Sequence, residues 1–287
     1  MNKASELGGI AAMMAATAVF VIGDSFMKLA TEALPPFEVL FLRGVAASAA
    51  CALWIVMRRE WHAIANAVQG RVLLRAVAEA LSVLCYIVAL ARMPIADVIA
   101  ILQTAPLILV IGAAFVLRER VGPARMMLVL AGFAGALMVA QPNAAGMTSA
   151  ALLAFASALL IAARDLVGRG IPERIPVTVV VLATNLTVMA AAGAMSVWHE
   201  AWVTPRTSHL LHLAAAGLLV TLGHAGVLLA YRLGRTTLIA PFFYSFVLWG
   251  LAAGIVVWGS LPNPLALAGM GLIVASGIAI TVLGRRG

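Results

Sequence analysis

Ten long apolar stretches follow one another along this chain, at roughly 8–29, 36–57, 72–92, 96–117, 124–141, 148–168, 177–198, 208–231, 236–258 and 264–283. Only 10% of its 287 residues are charged and 64% are hydrophobic, whereas a soluble domain carries about 25% charged residues. Too few polar side chains remain to cover a surface facing water. The solvent that suits such a chain is lipid, whose hydrocarbon core is spanned by about 20 apolar residues. Lipid cannot hydrogen-bond an open strand edge, so every segment is predicted to be a helix. The polar–apolar alternation of a membrane barrel is absent from the sequence. The expected class is an all-α integral membrane protein with the lipid bilayer as its first partner. The first segment is too long for a signal-peptide core and leads into no polar mature domain, so it is expected to stay in the protein.

The net charge of +8 does not point to nucleic acid. Its basic residues sit in short clusters between apolar runs, which is the pattern the bilayer orientation rule produces. With the N-terminus in the cytoplasm, fifteen of the 19 Lys and Arg fall on that side, among them Arg58, Arg59, Arg71, Arg75, Arg118, Arg120, Arg164, Arg169, Arg235, Arg285 and Arg286. Lys28, Arg92 and Arg206 fall on the other side, and Arg43 lies inside a segment. Both termini are therefore expected in the cytoplasm. Cys51 and Cys85 lie within apolar runs and read as small packing residues.

The chain also repeats itself. Asp24, Lys28 and Pro35 are matched 141 positions later by Asp165, Arg169 and Pro176. The same offset lays Gln103-Thr104 over Tyr244-Ser245, and Glu119 to Pro123 over Ser260 to Pro264. A constant offset on charged residues and prolines indicates two copies of one unit, residues 1–145 and 146–287. Each copy holds five segments, an odd number, so the second enters the membrane from the opposite side. The predicted architecture is ten transmembrane helices in two inverted five-helix repeats around a central cavity, an arrangement found in many secondary transporters.

Charges within the segments narrow the functional residues, because each costs about 2.5–3.5 kcal/mol at a helix centre on translocon scales. Asp24 and Arg43 lie about 8 and 10 Å below the outer ends of their helices at 1.5 Å per residue, and Lys28 stands one turn above Asp24. An Asp24–Arg43 pair would either lock two helices or serve as an outer gate or a contact for a zwitterionic substrate. Glu79 follows Arg75 at i+4, and reads either as an interfacial pair snorkelling to water or as a proton-coupling carboxylate. Asp165 and Arg169 are expected near water or headgroups at the inner end of the sixth segment. His224, deep among Leu, Gly and Ala, is either a satisfied core donor or a cavity residue. His209 and His212 have no nearby carboxylate or thiol, so no metal site is expected.

The uncharged set is read as the wall of a cavity. Gln103 and Thr104, with Pro106 beyond them, and Tyr244 and Ser245, with Pro241 before them, lie near mid-membrane in segments that proline would kink. Tyr86 and Trp249 would add aromatic walls. For each of these residues alone, helix packing is an equal reading. Gly250 and Gly254, and Gly132 and Gly135, read as close-approach positions between helices. Trp198, Trp202 and Trp258 fall at segment ends, where an aromatic belt would put them.

The sequence resembles the ten-helix EamA-type members of the drug/metabolite transporter superfamily. The resemblance runs from Gly23-Asp24-Ser25-Phe26-Met27-Lys28, Leu34-Pro35-Pro36 and Phe41-Leu42-Arg43 through Leu117-Arg118-Glu119-Arg120 and Gly132-Phe133-Ala134-Gly135 with Pro142. It continues in Ala240-Pro241-Phe242-Phe243-Tyr244-Ser245, Trp249, Gly254 and Leu261-Pro262. It implies a bacterial inner-membrane carrier of small metabolites, many such carriers being amino-acid exporters. One departure is Ser260, where the family often has an acidic residue that the first half keeps as Glu119. The leading expectation is a transporter that exports amino acids or similar small zwitterions by alternating access. The runner-up is an uptake carrier for a larger metabolite such as a flavin or an adenosyl compound. An intramembrane enzyme would need a catalytic constellation that the dispersed ionisable residues do not form. No ATP-binding loop of the Walker type and no cofactor motif is present. Substrate, coupling ion and oligomeric state are not encoded in any residue pattern, and a monomer is consistent with the sequence.

Overall fold

The computed structural model describes residues 3–116, 122–141, 147–168, 170–172, 174–233 and 239–283. Arg118, Glu119, Arg120, Pro142, Arg169, Arg235, Arg285 and Arg286, and the first residues of the ninth segment, lie outside the described residues. Everything regular within them is helical: α1 (Lys3–Ala30), α2 (Pro36–Met57), α3 (Gly70–Arg92), α4 (Ile95–Leu102), α5 (Ala105–Val116), α6 (Pro123–Ala140), α7 (Ser149–Gly168), α8 (Val177–His199), α9 (Thr207–Leu233), α10 (Ser245–Trp258) and α11 (Pro264–Leu283). Two 3-10 stretches, Trp61–Val68 and Ala240–Tyr244, complete the order. Among the described residues six helices are long and apolar enough to cross a membrane, and four further apolar stretches are shorter, one of them running from α4 into α5.

Local chemistry sets the helix ends. Pro36 and Pro123 stand in the first turns of α2 and α6, where a missing N–H costs no hydrogen bond. The Asn263 carboxamide oxygen accepts the Ala266 N–H at the start of α11, and Thr148 does the same for Ala151 at the start of α7, as side-chain caps do. Gly259, at φ +61°, closes α10, a left-handed position that glycine occupies without penalty.

The fourth and ninth segments are not continuous helices. The fourth breaks at Gln103 and Thr104 between α4 and α5, and the described part of the ninth passes through the 3-10 stretch Ala240–Tyr244 before α10. Pro106, in the first turn of α5, has no N–H to return to the carbonyl four residues earlier. One residue before the Leu102 carbonyl that Pro106 leaves free, the Ile101 carbonyl accepts the Thr104 N–H at 3.0 Å and the Thr104 Oγ1–H at 2.7 Å. Ser245 Oγ donates to the Phe242 carbonyl at 2.7 Å, a bond of the same i to i−3 kind in the second half. Bare backbone is tolerated at membrane depth only where protein or a cavity surrounds it, and both breaks lie inside the bundle.

Helices pack in a definite order: α1 along α9, α3 along α7, α6 along α11, and α2 against both α8 and α9. Small residues permit the closest crossings. A Cβ on Gly217 of α9 would lie 2.7 Å from the Ala47 amide nitrogen of α2, and one on Gly135 of α6 would lie 2.7 Å from the Gly269 carbonyl of α11. Large apolar side chains such as Leu53, Val56, Leu152, Leu222 and Val256 point outward. Helices that are apolar on every side suit a lipid surround. Cys51 is buried and free, with its thiol toward the Thr178 carbonyl; Cys85 is also free.

The two ends of the bundle differ. At one, Lys28 donates to the carbonyls of Leu90 and Met93 at 2.6 Å each and lies over the Trp258 ring. There the Glu200 carboxylate also takes the N–H groups of Phe37 and Glu38, Val203 N–H donates to Glu38, and Trp258 donates to Glu32. At the other end Arg71 holds the Gly170 carbonyl at 2.5 Å, and Glu60 joins Arg58 to Thr178.

Candidate functional site

A cavity of about 250 Å³ sits between α1, α2, α3, α7, α8 and α9, at the level of the two helix breaks. Its charged lining is Asp24, Arg43, Arg75, Glu79, Arg164 and Asp165, three acids and three bases. Gln103, Tyr86, His224, Asn185, Thr184, Ser82 and Ser157 add polar groups, and Phe20, Phe243 and Phe246 form an aromatic wall. Phe20 meets Phe246 and His224 edge to face with ring centres 6.3 and 5.2 Å apart. Phe243 stacks on Phe246.

The bases and acids are organised into two groups. Arg164 of α7 pairs with Glu79 of α3 and with its own neighbour Asp165, at 3.0 Å for the latter. Arg75 does not pair with Glu79 through the helical spacing that suggested it; its guanidinium donates to Thr184 Oγ1 of α8 at 3.1 Å. Tertiary packing instead sets Arg164 of α7 against the Glu79 carboxylate, with Arg75 still near enough for its charge to act on it. The second group is Asp24, Arg43 and Tyr86, from α1, α2 and α3, close enough for their charges to interact. Among the described residues no ion pair joins Asp24 to Arg43.

Of the residues singled out from sequence, Asp24, Arg43, Glu79, Tyr86, Gln103 and His224 line the cavity. Gln103 also ties the two breaks together, its amide donating to the Phe243 carbonyl at 3.4 Å. His224 Nδ1–H donates to the Val220 carbonyl at 2.7 Å. Thr104, Tyr244, Ser245, Trp249 and Lys28 stand off the wall. Thr104 is fully buried on its own carbonyl bond, and Tyr244 presses its ring on Gly277 of α11. Ser245 Oγ lies 2.8 Å from Thr17 Oγ1 of α1. The Trp249 indole N–H donates to the Met14 carbonyl at 3.1 Å, and Lys28 is spent on the end closure. His212 stacks on Phe26, and no group of three metal-ligating side chains occurs among the described residues. Ser260 Oγ donates to the Gly254 carbonyl and so secures the end of α10.

Sequence reasoning did not pick out Arg164, Asn185, Thr184 or the Ser82–Ser157 pair. Arg164 looked like one more charge at a segment end. Asn185 stands nine residues into α8 among Val, Leu and Thr, and that depth was a legible signal. Ser82 Oγ and Ser157 Oγ lie 2.9 Å apart between α3 and α7, a contact no spacing rule indicates.

Apolar helices surrounding a charge-balanced cavity, with two broken helices beside it, define by class a membrane transporter of small solutes. Comparisons with known proteins agree. The model of the EamA-like transporter family matches residues 7–141. A riboflavin transporter of Rhizobium johnstonii is 33% identical over 215 residues, 73% of this chain and 69% of that protein. The pseudopaline exporter of Pseudomonas aeruginosa is 26% identical over 274 residues, 95% of each chain. A crystal structure at 21% identity covers 100% of this chain and 99% of its own with a TM-score of 0.68, which shows the fold. The chain belongs to the EamA-like transporter family, within the drug/metabolite transporter superfamily. Its function is metabolite transport across a membrane, and a catalytic role has no support among these relatives.

Proposed function

We propose that this protein exports amino acids or similar small zwitterions by alternating access, as a ten-helix carrier of two inverted repeats, 1–145 and 146–287. It sits in a bacterial inner membrane with both termini in the cytoplasm. The observation that carries the substrate reading is the cavity lining, three acids against three bases beside an aromatic wall. A site of zero net charge with fixed charges of both signs suits a zwitterion.

Two observations support the repeat. The packing is mirrored between halves: α1 on α9 corresponds to α7 on α3, α2 on α9 to α8 on α3, and α1 on α10 to α7 on α5. Cavity-lining residues also fall in pairs 141 positions apart: Phe20 and Ile161, Asp24 and Asp165, Arg43 and Thr184, Glu79 and Val220, Val83 and His224, Leu102 and Phe243, Ala105 and Phe246. A cavity lined by equivalent positions of both halves is what a two-fold axis through it would produce. Orientation is supported by the basic residues, since Arg58, Arg71 and Arg174 gather at the end opposite Lys28 and Arg206.

Uptake of a larger metabolite is the second reading, supported by the riboflavin-transporter relative and the cluster of Phe20, Phe243 and Phe246. The cavity volume of about 250 Å³ falls below the roughly 300–1,000 Å³ of sites for drug-sized ligands, which favours the smaller substrate. The test is flux from reconstituted vesicles loaded with a mixed amino-acid pool, with and without a pH gradient. Selective loss of particular amino acids, slowed at least about tenfold by Gln103→Ala, is the expected result. Retention of every amino acid, together with entry of external riboflavin, would replace export by uptake.

A further inference from the structure

We infer that Arg43 and Tyr86 form the seat for a substrate carboxylate and that Asp24 beside them takes the cationic nitrogen of the same molecule, an assignment that rests on the zwitterion reading of this cavity. Arg43 is 9% exposed and Tyr86 7%, on two different helices. Both line the cavity. Among the described residues, Arg43 Nε finds no hydrogen-bond partner, and Tyr86 Oη, which faces the Asp24 carboxylate, completes no bond of full geometry. A buried donor left unpaired is costly, and a charged one more so. Its persistence here, on two side chains that converge on one space, marks a place where a ligand completes the bonding.

The remaining cavity charges are already engaged. Glu79 and Asp165 hold Arg164, and Arg75 donates to Thr184. Asp24 and Arg43 are the opposite charges that lie near one another without an ion pair between them. Their chemistry divides the ligand. A guanidinium N–H and a phenol O–H both donate, and the planar guanidinium fork matches a carboxylate. An ionised aspartate only accepts, which suits an ammonium. Carboxylate and ammonium must sit close together on such a ligand, as they do in an α-amino acid. Phe20 lies one turn from Asp24 on the same face of α1 and leads to Phe246, a path for an apolar or aromatic side chain. An isoalloxazine ring system carries neither head group.

The test uses the purified full-length protein in detergent, with calorimetric binding of phenylalanine, 3-phenylpropionate and phenethylamine. Arg43→Gln is expected to weaken phenylalanine and 3-phenylpropionate about 10- to 100-fold and to leave phenethylamine within about twofold. Asp24→Asn is expected to do the reverse. Tyr86→Phe removes one oxygen without disturbing packing, and should weaken only the carboxylate-bearing probes, by about 2- to 10-fold. A merely structural role for these residues would move all three probes together. If Arg43→Gln weakens the three alike or not at all, or Tyr86→Phe leaves phenylalanine binding unchanged, the head-group assignment falls while the transport reading stands. If the parent protein binds none of the three, the zwitterion reading fails and takes this assignment with it.

Discussion

At the scale of single residues, Glu79 and Arg164 form an ion pair between α3 and α7. Their side chains are 14% and 22% exposed, toward the cavity. Removing one member of a buried ion pair strands the other charge, at a cost of about 3–5 kcal/mol in a closed interior. Exposure to the cavity places this pair at the lower end of that range. Arg164→Ala and Glu79→Ala are each expected to lower unfolding stability in detergent by about 3 kcal/mol. The double variant should lose less than the two single losses together by at least about 1 kcal/mol. Strictly additive losses would show that the two charges do not compensate each other. The chain spacing named Arg75 as the partner of Glu79, since both lie on one helix face. No spacing rule relates residue 79 to residue 164, so that partner was readable only once α3 and α7 were seen side by side.

At the scale of elements, the broken helices position the cavity wall. Tyr244 ends the 3-10 stretch with its ring against the bare backbone of Gly277 in α11. A methyl group at Gly277 would overlap that ring, so Gly277→Ala is expected to cost about 1–3 kcal/mol by overpacking. Shortening the aromatic side chain in the same background, Gly277→Ala with Tyr244→Leu, should recover at least half of the loss in thermal unfolding. A loss that persists in the double variant would place the strain elsewhere. Kinks at these two places were expected from Pro106 and Pro241. The two-residue turn that separates α4 from α5 was not, because proline alone leaves open whether a helix bends or breaks its hydrogen-bond pattern. At that turn Thr104 bonds the Ile101 carbonyl and Gln103 reaches across to Phe243. The close-approach reading of Gly132 and Gly135 agrees with the structure, where α6 and α11 cross at Gly135 and Gly269.

At the scale of the whole molecule, different side chains tie the two ends of the bundle. Lys28 satisfies two helix-terminal carbonyls at one end, and Gly23 lies against Ala216 below it. In the proposed repeat, Ala216 corresponds to Arg75, which lines the cavity. Under the proposed alternating access, the opposite-facing state should expose Ala216. Charge-assisted hydrogen bonds contribute about 1.5–3 kcal/mol each, so Lys28→Met should shift the population toward that state about 10- to 100-fold. Labelling of Ala216→Cys by a membrane-impermeant thiol reagent is the measurement. It should be slow in the parent background and rise by that factor with Lys28→Met; no rise would mean that the closure is held elsewhere, with Glu200 and Glu38 the next residues to test.

The sequence by itself determined the solvent and the helices. A chain with 10% charged residues has no alternative to lipid, and lipid admits only structures that satisfy their own backbone. The offset of 141 between Asp24 and Asp165, or Gln103 and Tyr244, was equally legible, because it needs no coordinates. Tertiary structure alone decided which of the polar residues face one another. Thr104, Gln103, Ser245 and Tyr244 look alike as polar groups in apolar segments, yet Gln103 alone of these reaches the cavity and the other three turn to a carbonyl, to Thr17 or to Gly277. Arg43 and Asp24 share a depth that spacing can give, but only packing leaves them near each other without an ion pair. The physical reason is that hydrophobicity fixes depth along one axis, whereas rotation of each helix about its own axis is fixed by contacts with its neighbours, such as Gly217 on Ala47 and Ser82 on Ser157.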